Sequence, residues 1–380
     1  MFLRRAFRYR LYPSKNQENE LNNQLFCCKE LWNDLLSYIK NYYSETGKFP
    51  TKGQLFKFTK NRKLYSQVAQ NIADRLFKSI RLMISKKKAG KKAGFPRFKS
   101  IDRLKSFTYP QSGFKLFNKT LELSKIGEIE IRKHRDLIGK IKTLTIKRES
   151  SGKWFAIFTS ELDETPIQKK TGEKIGLDLG IENFAYLSDG KTIENPRNLK
   201  KALKKLRKEQ RRLSRKKKGS KNRRKAKTKV AIAYEKLVNK RRDFLHKVTH
   251  NLATDYSLIA LENLNVSSMS QGFLAKEVLD CSFAEFTKLL QYKAESAGSE
   301  VILVNPAYTT QQCSNCKIIK KKLLSERMHY CSCGVKMHRD LNSAINILKK
   351  AENSATSTLG HRGSYASGEE IPTTERSLRS

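Results

Sequence analysis

With 380 residues, 38% of them hydrophobic, the chain is long enough for two or three domains and can bury a real core. Its 79 Lys and Arg against 36 Asp and Glu leave a net charge of +43, which repels itself unless a polyanion is near and so points to nucleic acid. No stretch approaches the roughly 18 apolar residues of a membrane helix, and Arg4, Arg5 and Arg8 interrupt any signal-peptide core, so no membrane partner is expected.

Arg4 to Tyr12 alternates basic with apolar or aromatic residues, a strand pattern that Pro13 stops. Leu21, Leu25, Cys28, Leu31, Trp32, Leu35, Leu36 and Ile39 then recur at helical spacing, and a second such pattern runs from Tyr65 to Ile84, so residues 14–94 read as a helical unit closed by a basic loop, Lys86 to Gly94. After Pro96 the pattern returns to alternating strands, near 107–109, 120–123, 129–131, 141–146 and 154–159, which suggests a β-barrel-like unit with the helices inserted after its first strand. Of its aromatics, Tyr9, Phe95 and Phe98 are candidates to stack on unpaired bases, whereas Trp32 fits core packing better.

Residues 161–173 read as a linker, and Ile175 to Gly180 opens a different unit, a strand followed by a hairpin with its turn at Asp189-Gly190. Residues 200–229 carry 18 Lys and Arg and one acid, in two helices broken at Gly219-Ser220. A strand at 257–261, a helix at 278–295, a strand at 301–304 and a helix at 341–350 follow, and the Ser- and Thr-rich tail from Asn353 is expected to be disordered.

Three acids stand out by context: Asp178 inside an apolar strand, Glu262 at the end of another, and Asp340 at the start of the last helix. Each alone is weak, since a strand-end acid usually faces solvent and a helix-start Asp usually caps. Together, in that order, they are what an RNase H-like nuclease needs: hard carboxylate oxygens on separate rigid elements, able to hold two Mg²⁺ ions about 3.5–4 Å apart across a phosphodiester.

The seven cysteines do not form a disulfide framework, because Cys27 and Cys28 lie in a helical pattern and four others form two pairs. Cys313 and Cys316, then Cys331 and Cys333, have the spacing of a structural four-thiolate zinc site, although the second pair is C-x-C rather than C-x-x-C. His329 and His338 are near enough to replace a cysteine, but a satisfied surface histidine is the simpler reading of each. A reducing cytoplasm, or a nucleus, is the expected compartment.

The set Arg10-Leu11-Tyr12-Pro13, Gly94-Phe95-Pro96-Arg97-Phe98-Lys99, Gly152-Lys153-Trp154, Gly176-Leu177-Asp178-Leu179-Gly180, Leu261-Glu262-Asn263-Leu264, Tyr308 and Arg339-Asp340-Leu341-Asn342-Ser343-Ala344-Ile345-Asn346-Ile347 resembles the TnpB-type proteins of prokaryotic insertion sequences, often called transposases and related to type V CRISPR effector nucleases. The resemblance implies an α+β multidomain chain: a wedge-like β-barrel (1–13 and 95–165), a helical recognition unit (14–94), a RuvC-like nuclease (172–305 and 335–352), a zinc ribbon (306–334) and a flexible tail (353–380). It further implies a guide RNA from the transposon end, double-stranded target DNA cut beside a short transposon-adjacent motif, and a cytoplasmic protein that joins the nucleoid when bound to DNA.

Carried over by residue, Asp178, Glu262 and Asp340 match the Mg²⁺-binding catalytic acids, and Cys313, Cys316, Cys331 and Cys333 match the zinc ligands. The family often has Asp where this chain has His338, which leaves Asp340 as the matching acid. Because a guide–target duplex of about 20 base pairs is gripped through its backbone, Lys86, Lys87, Lys88, Lys91, Lys92, Arg207, Arg211, Arg212, Arg215, Arg223 and Arg224 are candidate contacts. Ser66, Gln67 and Gln70 are candidates to read the flanking motif, and no protein partner is indicated. Two other readings compete: a transposase that joins DNA ends with the same acids, and an RNA-guided regulator that binds without cutting.

Overall fold

The computed structural model describes residues 3–60, 63–162, 168–196, 198–264, 282–323 and 326–359. Parts of three expectations, the linker at 163–167, the helix start at 278–281 and the tail from 360, lie outside the described residues. The chain forms two compact units, one of residues 1–165 and 208–235, the other of residues 166–207 and 236–380.

In the first unit, strand β1 (Leu3–Tyr12) buries Phe7, Tyr9 and Leu11 and turns Arg8 and Arg10 outward, where both guanidinium groups lie over the Phe155 ring, at 3.7 and 5.2 Å. Tyr9 is therefore a core residue and not a base-stacking one, because its parity in the strand points it inward. Helix α1 (Lys15–Thr46) starts at a Ser14–Gln17 capping box and ends at Gly47 in the left-handed conformation. It packs on α2 (Lys52–Lys57) and α3 (Ser66–Lys88) through the apolar stripe that runs from Leu21 to Ile39. Lys86, Lys87 and Lys88 form the last turn of α3 rather than a loop, which suits the negative end of a helix dipole.

Strands β2 (Ser106–Tyr109), β3 (Phe114–Leu116), β4 (Thr120–Leu123), β5 (Gly127–Arg132), β6 (Lys140–Arg148) and β7 (Trp154–Leu162) complete an antiparallel sheet of order β2-β6-β7-β1-β5-β4-β3. Its edge strands β2 and β3 are joined by a turn, and the Tyr109 and Phe114 rings on them lie 6.3 Å apart, so the sheet curls until its edges approach. Helices and sheet share one hydrophobic core, in which Leu21, Ile72 and Phe158 all take part, so 14–94 is not a separate compact unit.

The second unit is layered. Strands β8 (Lys174–Leu179), β9 (Asn183–Leu187) and β10 (Thr192–Glu194) form an antiparallel hairpin series, and β11 (Leu258–Glu262) and β12 (Glu300–Val304) continue the sheet in parallel, giving the order β10-β9-β8-β11-β12. Strand β11 is buried on both faces from Leu258 to Leu261, as a central parallel strand should be. Ile259 and Leu261 join Ile175, Leu177 and the helices α5 (Lys221–Asp255) and α6 (Phe283–Ala297) on one face. Leu258 and Ala260 join Ile347 and Ala351 of α7 (Arg339–Leu359) on the other.

Helix α7 runs nine residues beyond the expected 350 and takes in 353–359, which were assigned to the tail; Ala351 buried against the sheet extends its packed face. The expected nuclease range of 172–305 takes in the whole basic segment. Instead α4 (Asn198–Ser214) and the first turns of α5 contribute residues 208–235 to the first unit, where Lys227 meets Asp102 at 3.1 Å and Glu235 meets Lys153 at 2.9 Å. Among the described residues no helix is long and apolar enough to cross a membrane.

Candidate active site and metal centre

Strand parity puts two of the acids on one face. Register pairs Gly176 with Ala260 and Leu177 with Leu261, so Asp178 and Glu262 are the next step on neighbouring parallel strands. Both share the parity of Gly176 and Ala260, which is the face covered by α7. That helix lies directly on β8: a Cβ added at Gly176 would come within 2.2 Å of the Ala344 carbonyl oxygen and 2.9 Å of the Leu348 Cβ. Gly176 thus admits the helix backbone, and the helix carries Asp340 in its first turn. Sequence reading singled out the acids and assigned no role to this glycine; the signal was its place two residues before Asp178.

Asp178 is pushed well above the usual carboxylate range by burial first, then by the charges of Glu262 and Asp340, and Ser343 and Arg339 offset this only in part. Glu262 is also raised by burial, with the Thr309 hydroxyl and Lys350 opposing. A buried carboxylate with two other acids near it favours a proton or a cation beside it. Hard oxygen donors fit Mg²⁺ and disfavour the soft metals, so Asp178, Glu262 and Asp340 could hold it. Beside them, His338 stacks on Tyr186 with ring centres 4.7 Å apart, and its Nδ1 accepts the Asp340 backbone N–H at 3.3 Å.

The four cysteines are together as well. All their sulfur atoms lie within 4.8 Å of one another, with Cys316 and Cys331 at 3.3 Å and Cys313 and Cys333 at 3.6 Å. A tetrahedron of Zn–S bonds of about 2.3 Å has edges of about 3.8 Å, so the set fits a closed zinc site. The C-x-C pair still serves, because its backbone turns on itself: Gly334 N–H reaches the Cys331 carbonyl at 3.1 Å. Backbone amides also favour thiolates, that of Cys333 drawing Cys331 down to about 6 and that of Val335 lowering Cys333.

Neither His329 nor His338 joins the sulfur cluster; His329 is not a surface residue as expected but buried beside Lys322, because its place in strand β13 (Met328–Tyr330) turns it inward. That strand pairs with β14 (Lys336–His338), so the ribbon continues to 338, past the expected boundary at 334.

The basic candidates separate by what they already hold. Lys86, Lys87, Lys88, Lys91, Lys92, Arg207, Arg211, Arg215 and Arg224 are exposed. Arg212 is exposed and bound to Glu209 at 2.9 Å. Arg223 is half-buried, and its Nη1 donates to the carbonyls of Leu213 and Lys216 at 3.1 and 2.8 Å, so it braces the turn between α4 and α5. Ser66 and Gln70 are exposed on α3, while the Gln67 side-chain oxygen accepts the Ser112 N–H at 3.1 Å.

The chain matches three family models: "Probable transposase" (the OrfB family of IS605) over residues 157–272, "Cas12f1-like, TNB domain" over 283–347, and "Helix-turn-helix domain" over 1–48. Residues 3–46 nevertheless fold as a strand and one long helix. It is 31% identical over 359 residues to a Streptomyces pristinaespiralis protein named "Putative RNA-guided DNA endonuclease", covering 91% of this chain and 89% of that one. It is 31% identical over 368 residues to Escherichia coli "Putative RNA-guided DNA endonuclease InsQ", covering 90% and 91%. Its fold resembles the protein of the "Cas12f1-sgRNA-target DNA complex", with a TM-score of 0.57 at 13% identity, covering 91% of this chain and 98% of that one. With near full-length likeness at this identity and the acids and thiols assembled as above, the chain belongs to the TnpB-type family of insertion-sequence OrfB proteins.

Proposed function

We propose that this protein is an RNA-guided, Mg²⁺-dependent endonuclease that cuts double-stranded DNA beside a short transposon-adjacent motif, using a guide RNA from the transposon end. The second unit is the RuvC-like nuclease and the first the wedge-like and recognition part. One observation carries the reading: Asp178 and Glu262, 84 residues apart, end neighbouring parallel strands on the face covered by α7, whose first turn carries Asp340, and Asp178 is raised by burial and by the charges of the other two.

Mg²⁺, when bound there, supplies activation of water and neutralisation of the charge that grows on the phosphodiester. The chain's own residues do the rest. Asp178 and Glu262 fix the donor oxygens from adjacent strands and Asp340 from the helix over them, while the apolar layers beneath keep these elements rigid. Zinc holds the ribbon closed and leaves no position open for chemistry. Lys86 to Lys92, Arg207, Arg211, Arg212, Arg215 and Arg224 grip nucleic-acid backbone, and the exposed Ser66 and Gln70 face the flanking motif.

The test is Asp178→Ala and Glu262→Ala in the protein purified with its RNA. Cutting of a matched target should fall by several orders of magnitude while target binding stays within about twofold. Full cutting by both variants would overturn the assignment; end joining by the RNA-free protein would favour a transposase.

A further inference from the structure

Glu262 stands at the half-buried end of its strand, on a side chain with three rotatable bonds, yet a metal site needs its oxygens fixed. The Thr309 hydroxyl fixes them. Its Oγ1 lies 2.5 Å from Glu262 Oε1 and 3.0 Å from the Pro306 carbonyl; with one hydrogen to give, it donates to the nearer, charged acceptor. Thr309 is 2% exposed and sits in the turn that leads from β12 into the ribbon.

That turn is held by the helix that carries Asp340. Asn346 Nδ2 donates to the carbonyls of Thr309 and Gln312 at 2.9 and 2.7 Å. Asn342 donates to Gln312 O at 2.7 Å and accepts Ser314 N–H at 2.9 Å, and Lys349 Nζ donates to Ser314 O at 2.6 Å. Asn342, Asn346 and Lys349 follow at four and three residues, so they form one stripe of α7 and bind the segment that enters the first cysteine pair. The two acids at the strand end and the helix start are thereby linked through one buried hydroxyl and one buried amide.

We propose that Thr309 is the positioning residue of Glu262, orienting its carboxylate for a divalent cation and tying that orientation, through Asn346, to the helix that supplies Asp340. The inference rests on the reading of the three acids as a Mg²⁺ site. It adds a residue that neither binds the metal nor touches DNA.

The test compares Thr309→Val, which keeps the shape and removes the donor, with Thr309→Ser, which keeps the donor. Mn²⁺ binding to the full chain freed of nucleic acid is read by electron paramagnetic resonance, with Asp340→Ala as the blank. The Mg²⁺ dependence of cutting is read on the protein with its RNA. Loss of a hydrogen bond to a charged group predicts about tenfold weaker Mn²⁺ binding for Thr309→Val. It also predicts about tenfold more Mg²⁺ for half-maximal cutting, with most of the rate recovered at saturation. Thr309→Ser should restore both, and zinc content should not change in either variant. Mn²⁺ affinity of Thr309→Val within twofold of the parent, or Thr309→Ser as weak as Thr309→Val, overturns the proposal. Should Thr309→Val fail to fold, Thr309→Ala removes the donor without needing space and carries the same expectation. If Asp340→Ala leaves Mn²⁺ binding intact, the reading of the acids fails; if it abolishes binding and Thr309→Val does not weaken it, only the role of Thr309 fails.

Discussion

The two ligand clusters are built in opposite ways. Four sulfurs come from 21 consecutive residues, and their approach within 4.8 Å needs little more than two tight turns. Three carboxylates come from positions spread over 163 residues, and they are brought to one side of the sheet only because strand register, strand parity and a glycine under a helix all agree. The first cluster is a local device that a metal can close by itself. The second is a property of the whole layered unit, so it should be sensitive to changes far from any carboxylate.

Removal of the metal from the local cluster should have the largest effect, since a structural zinc contributes about 10–16 kcal/mol of apparent binding energy to the state it closes. Cys316→Ser should lose zinc and leave the ribbon amides unprotected in hydrogen exchange, while β8 and β11 keep their protection. Uniform loss of protection would show that the ribbon is not a separate cooperative part. Next, Gly176→Ala attacks the distributed cluster without touching an acid. Overpacking of this kind costs about 1–3 kcal/mol, and cutting should fall because Asp340 moves with α7. A variant with unchanged melting and full cutting would mean that the helix can shift freely over the sheet.

A smaller effect comes from charge. Asp178 has a folded-state pKa raised above its unfolded value, so its contribution favours the folded chain below the ordinary carboxylate range and is lost as pH rises through the raised value. The Mg²⁺-free protein, with zinc retained, should therefore melt at lower temperature as pH rises across that window, and Asp178→Asn should flatten the dependence and melt higher. Added Mg²⁺ should restore the parent and leave the variant unmoved; equal responses would place the cation elsewhere. The smallest effect separates the basic residues. Arg211→Ala should reduce the salt dependence of RNA binding by roughly 0.7–0.9 in slope at unchanged stability. Arg223→Ala should instead lower the melting temperature, because its guanidinium holds the turn before α5.

Much of both units was legible. The apolar stripe from Leu21 to Ile39, the alternation in β1 and the buried run of β11 are read by each residue's near neighbours, and the structure contains all three. Short strand β3 was missed, since Phe114-Lys115-Leu116 is too brief to show a period. The extension of α7 to Leu359 was missed because Asn353 to Thr358 is a polar, Ser- and Thr-rich stretch, a composition that reads as tail.

By itself, the sequence determined the four clustered thiols, the identity of three candidate acids, the strong positive charge and the order of elements, because each depends on residue type and spacing within a turn or two. The tertiary structure alone decided that residues 208–235 belong to the first unit, that Tyr9 is core, that Arg223 is a brace, and that Thr309 reaches Glu262. Those outcomes depend on which faces meet across residues far apart in the chain. Parity and register set them, and a one-residue slip of β8 against β11 would turn Asp178 into the apolar layer of α5 and α6.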